Sequence, residues 1–152
     1  MIQRKQTIFL LIALVLNIVC LCLPVGRFVS QTMGADATLT NLWIRMSDGS
    51  LQFSAWYLFA ILLLSCPVTI WAIISYKNRL FQARLCLCCM LLMVFWYIGY
   101  SIVKFWTAPE MKAELVMAWT YFLPFVSLVF YFLARRGIMA DEKLVRSMDR
   151  IR

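Results

Sequence analysis

Between Asp48 and Lys77 the chain carries no Asp, Glu, Lys or Arg, and from Trp56 to Tyr76 this stretch is almost continuously apolar. As a helix rising 1.5 Å per residue, such a block crosses a hydrocarbon core about 30 Å thick. Three other blocks read the same way: Thr7 to Pro24, Leu85 to Val103 and Leu115 to Ala134. None alternates with period two and none contains a charge, which is the pattern of helices solvated by lipid. The whole composition agrees, because 64% hydrophobic and 14% charged residues lie far from the soluble mean of about 45–50% apolar and about 25% charged. The expected fold is therefore all-α: a bundle of four transmembrane helices at about 7–24, 55–76, 84–104 and 114–136, forming one domain over residues 1–137.

The first block, behind Arg4 and Lys5, has the outline of a signal peptide. It is longer than the usual apolar region of one and lacks a small-x-small cleavage site, so it reads as an uncleaved anchor. Pro67 and Pro124 fall inside the second and fourth blocks and predict a bend in each helix, either static or a hinge.

Charge placement orients the bundle. Arg4, Lys5, Lys77, Arg79, Arg84, Arg135, Arg136, Lys143, Arg146, Arg150 and Arg152 gather at one end of the helices. The other end keeps Arg27, Arg45, Lys104 and Lys112, offset by Asp36, Asp48, Glu110 and Glu114. The positive-inside rule makes the first end cytoplasmic, with both termini there. The net charge of +8 thus encodes topology, and no nucleic-acid partner is expected, because phosphate binding gathers its cations on a soluble face. Trp43, Trp56, Tyr57, Trp106 and Trp119 fit an outer aromatic belt, and Trp71, Tyr76 and Tyr131 an inner one. Trp96 and Tyr97 sit mid-helix and should face the bundle.

In the outer connection, residues 25–54, Ser47-Asp48-Gly49-Ser50 stands between two β-prone runs and predicts a short hairpin capping the bundle. After the fourth block, Arg135 and Arg136 suit a helix C-terminus and Gly137 suits the left-handed position that stops one. Residues 138–152 then predict a separate basic, amphipathic cytoplasmic tail helix. Asp141 is its cap, Leu144, Val145, Met148 and Ile151 form its apolar stripe, and Lys143, Arg146 and Arg150 lie opposite. Lys143, Leu144, Arg146, Met148 and Arg150 are its candidate docking residues, for anionic lipid headgroups or a protein partner.

Few residues suggest chemistry. With no histidine there is no Ser-His-Asp set, and the five glycines form no phosphate loop. Cys86-Leu87-Cys88-Cys89 contains a Cys-x-x-Cys spacing, which would make a thiol oxidoreductase, but no cysteine lies in either outer connection to work with it. Buried cysteine is also a common packing residue. No block holds an ionisable side chain at depth, unlike transporters that depend on one. Ser65, Thr69, Tyr97, Tyr100, Ser101, Thr120 and Ser127 can bond across helices, and Asn17 is the polar residue expected to act as specific glue. Together with Tyr57, Trp96, Tyr97, Tyr100 and Trp119 it makes a candidate pocket for a lipid or quinone. The expected role is a non-enzymatic structural or accessory subunit with no cofactor or metal; a lipid or quinone carrier and a thiol oxidoreductase are the alternatives.

Two stretches carry a resemblance. Met1-Ile2-Gln3-Arg4 running into the first helix, and Ala134-Arg135-Arg136-Gly137-Ile138 followed by Asp141-Glu142-Lys143-Leu144-Val145-Arg146-Ser147 and Asp149-Arg150, resemble family 4293 among the domains of unknown function, small membrane proteins of the Bacteroidota. Met139, Ala140 and Met148 depart from that pattern. The resemblance implies a bacterial inner-membrane protein of four helices and supplies no activity.

Overall fold

A computed structural model of the protein describes residues 3–30, 36–76, 78–110 and 113–149. Four long helices, α1 (Gln3–Cys22), α2 (Trp56–Ile74), α3 (Arg79–Ile102) and α5 (Leu123–Asp149), form an antiparallel bundle. A single turn, α4 (Ala108–Glu110), lies between α3 and α5. In the bundle α1 packs on α2 and α5, and α3 packs on the same two. The helical segments Phe53–Ile74, Arg79–Glu110 and Trp119–Val145 are long and apolar enough to cross a membrane, whereas the apolar run of α1, Gln6–Cys22, is shorter. Ile70, Trp71, Ile74, Leu91, Phe95 and Ile98 point away from the core, so α2 and α3 are apolar on their outer sides as well as their inner ones.

Strands cover one end of the bundle. β1 (Gly26–Ser30), β2 (Ala37–Leu39), β3 (Ile44–Arg45), β4 (Leu51–Gln52) and β5 (Ala113–Met117) form a five-stranded antiparallel sheet in the order β4-β3-β2-β1-β5. The expected hairpin is present as β3–β4, closed by Met46 N–H donating to the Ser50 carbonyl and by Gly49 at φ 83°. It is the edge of a larger sheet. β1 shows why a strand forms here: Gly26 and Phe28 are buried while Arg27 and Val29 are exposed, the period-two pattern of a half-covered sheet.

Four expectations are corrected. The fourth helix does not begin near residue 114: Ala113–Met117 is β5, paired along its length with β1, and α5 starts at Leu123. Ala, Glu, Leu and Met favour a helix in isolation, but pairing with β1 outweighs that preference. Pro124 consequently lies in the first turn of α5, where its missing N–H has no helical partner to lose, and the predicted bend there does not arise. Pro67 is inside α2 as expected. Gly137 does not stop the helix, because α5 runs through it to Asp149, so no break separates a tail helix at 138. A Cβ at Gly137 would stand 3.2 Å from Gln6 Cγ, so glycine here lets α1 approach α5. Finally, α3 begins at Arg79, five residues before the predicted 84, and passes at Ile102 into a π-helical segment, Val103–Thr107.

Candidate functional site

Three polar layers cross the apolar bundle, and the candidate residues fall among them. The outermost is built on Asn41, in the connection between β2 and β3. Its backbone carbonyl accepts the Phe59 N–H in the first turn of α2, at 3.1 Å. Its fully buried side chain donates to the Cys20 carbonyl at the end of α1, at 2.5 Å, and accepts the Trp96 indole N–H from α3, at 3.0 Å. One residue thus satisfies end groups of two helices that would otherwise be stranded in apolar surroundings. Thr120 makes a similar tie, donating its hydroxyl to the Pro24 carbonyl.

Below the sheet the rings of Trp96, Tyr97, Tyr100 and Tyr121 close on one another. Tyr100 and Tyr121 centroids are 4.7 Å apart, Trp96 and Tyr97 5.1 Å, Tyr97 and Tyr121 5.1 Å, and Trp96 stacks on Tyr100 at 5.6 Å. The Tyr97 hydroxyl donates to the Tyr121 carbonyl at 2.9 Å, joining α3 to the segment before α5. The Tyr100 hydroxyl is buried beneath β1 with no hydrogen-bond partner among the described residues.

The middle layer draws one or more residues from every long helix. Asn17 of α1 donates to the Tyr131 hydroxyl of α5 at 2.9 Å and to Ser65 Oγ of α2 at 3.2 Å. Tyr131 also bonds Thr69 Oγ1 at 2.6 Å, and Thr69 Oγ1 lies 3.5 Å from the Cys89 sulfur of α3. Asn17 Oδ1 finds no partner among the described residues. This set ties the helices in register.

At the end remote from the sheet, Gln6 donates to the Asp141 carboxylate at 2.5 Å and Arg79 Nη1 donates to the Asp141 carbonyl at 3.3 Å, so α1 and α3 both grip α5. Two depressions open here. One, of about 560 Å³, is lined by Asn78, Arg79, Leu80, Phe81, Arg84, Glu142 and Val145. The other, of about 330 Å³, is lined by Phe132, Arg135, Arg136, Met139, Ala140 and Lys143.

Of the six candidate pocket residues, Trp96, Tyr97 and Tyr100 come together. Asn17 lies in the middle layer, Tyr57 packs beside Gly99 with its hydroxyl 3.4 Å from that carbonyl, and Trp119 turns outward, 67% exposed. Tyr121 takes the place predicted for Trp119. Lys143 and Leu144 are exposed on α5, while the Arg146 and Met148 side chains and the whole of Arg150 lie outside the described residues. Cys86 and Cys89 are buried and Cys88 is exposed, and all three thiols are free. Thr120 was among the polar residues expected to bond across helices, whereas sequence reasoning missed Asn41, although an Asn just after a β-prone run is a polar residue with few reasons to stand there; it also missed Tyr121 and assigned Tyr131 to the inner aromatic belt, where the structure buries it fully between helices.

The family described as Domain of unknown function (DUF4293) matches residues 2–151, so the chain belongs to that family. No curated protein matches it.

Proposed function

We propose that this DUF4293 member crosses the bacterial inner membrane four times with both ends in the cytoplasm. We further propose that it serves as a non-enzymatic structural or accessory subunit, docking a protein partner on the inner end of α5. The observation that carries the reading is the continuity of α5, which passes from its apolar span into Lys143, Leu144 and the following charged turn without a break. A free short helix would be marginal on its own, whereas this one extends from a bundle that holds it at Gly137 and Asp141. The result is a rigid projection carrying a chosen set of side chains into the cytoplasm.

The four crossings are supported by α1 lying beside α5 throughout. Gln6 meets Asp141, Asn17 meets Tyr131 and Cys20 meets Thr120, so α1 occupies the same slab as a helix of spanning length. The excess of Lys and Arg at the end remote from the sheet supports its cytoplasmic placement. The close ring contacts of the outer half and the inward direction of Cys86 and Cys89 favour a scaffold over a carrier or a thiol enzyme.

The test is affinity purification from native membranes of the full chain beside one ending at Lys143, with co-purifying proteins identified by mass spectrometry. This cut keeps Ile138, which is fully buried, and Asp141; a cut after Gly137 would remove both and unsettle the bundle. A partner recovered only with the full chain is the expected result. Identical protein lists would contradict the docking role.

A further inference from the structure

The lipid-facing side of α5 changes chemistry along one stripe. Phe125, Val129 and Phe132 follow at spacings of four and three, which puts them on one helix face, and they are 56%, 40% and 47% exposed. The stripe continues through Arg136 and Lys143 into the depression of about 330 Å³ that Phe132, Arg135 and Met139 also line. Three of its six lining residues are cations and none is an acid. Arg135 is half-buried, and its Nε has no hydrogen-bond partner among the described residues, so one donor of the side chain is left unmatched beside the depression.

Depth along the bundle fits the same ligand. Asp141, gripped by Gln6 and Arg79, marks the inner ends of α1 and α3. Arg135 stands six residues earlier, about 9 Å nearer the membrane centre at 1.5 Å per residue. From Arg136 back to Phe125 is about 16 Å, the thickness of one leaflet's hydrocarbon when the whole core is about 30 Å.

We propose that this stripe seats one anionic phospholipid of the inner leaflet, its phosphate between Arg135, Arg136 and Lys143 and an acyl chain along Phe132, Val129 and Phe125. A free phosphate shares the headgroup's chemistry but has no use for the apolar run, which commits the site to lipid. The inference rests on the membrane-spanning reading above and is independent of any partner at the end of α5.

The full-length protein in detergent is titrated with phosphatidylglycerol, and in parallel with phosphatidylcholine, while native mass spectrometry counts bound lipid. One phosphatidylglycerol should be retained in preference to phosphatidylcholine. The variant combining Arg135→Gln, Arg136→Gln and Lys143→Gln should bind it at least about tenfold more weakly, because it loses all three cations of the depression. Arg135→Lys with Arg136→Lys should keep the preference, and Arg27→Gln at the opposite end should leave binding unchanged. Melting of each variant is followed so that lost binding is read only on folded protein. Equal retention of both lipids, undiminished binding by the folded triple variant, displacement by millimolar inorganic phosphate, or a dimer that the triple substitution dissolves would each overturn the proposal. Because this assay needs no cell, its failure leaves the partner-docking experiment to stand or fall separately.

Discussion

Asn41 has both ends of its amide committed, one to the Cys20 carbonyl and one to the Trp96 indole. Removing it strands a helix-end carbonyl and an indole N–H in apolar surroundings, each at about 1–3 kcal/mol. Asn41→Ala should therefore lower stability by about 2–6 kcal/mol, read as a fall in melting temperature in detergent. Asn41→Asp, nearly the same shape, should be no milder, because it faces the Cys20 carbonyl with an acceptor in place of a donor. A variant melting like the parent would mean that the amide bonds contribute nothing. Asn17 was legible at this scale because a lone amide in an apolar block needs a partner across the bundle. Its partners were not, since which hydroxyls of α2 and α5 face α1 depends on the rotation of each helix. The same holds for Tyr121 and Trp119, two residues apart in sequence: the turn of 3-10 helix at Trp119–Phe122 sends the first inward and the second outward.

At the scale of elements, each charge-free block holds one long helix, although Leu115, Val116 and Met117 of the fourth belong to β5. The strands were legible only where a local signal existed. Asp48-Gly49 announced β3–β4 on its own, whereas β5 exists through its pairing with β1, a contact between segments far apart in the chain. Gly137 is the clearest ambiguity, since a glycine after Arg135 and Arg136 fits a helix stop and a helix contact equally well by sequence. The two are separable by sign. In a Gln6→Ala background, which removes the side chain that a new methyl would meet, Gly137→Ala should raise stability by about 1 kcal/mol, the propensity gain inside a helix. At a left-handed stop the same change would lower it by about 1–2 kcal/mol. Chemical denaturation of the pair in one detergent distinguishes these outcomes.

For the whole molecule, apolar burial is arranged around three polar layers instead of a single dry core. The sheet closes one mouth, Asn17 with Tyr131 binds the middle, and Asp141 fastens the other end. Each layer draws on residues distant in sequence, so the bundle, whose outer faces are as apolar as its inner ones, gains its register from hydrogen bonds. Both depressions at the end remote from the sheet are lined by arginines. In the proposed topology the sheet lies outside and the end of α5 inside. The most direct measurement is labelling of spheroplasts by a membrane-impermeant maleimide, using single cysteines at Ser50, in the β3–β4 turn, and at Ser147, near the end of α5, in a cysteine-free chain. Ser50→Cys should react in intact spheroplasts and Ser147→Cys only after permeabilisation; both sites reacting from outside, or the reverse order, would contradict the four-crossing topology.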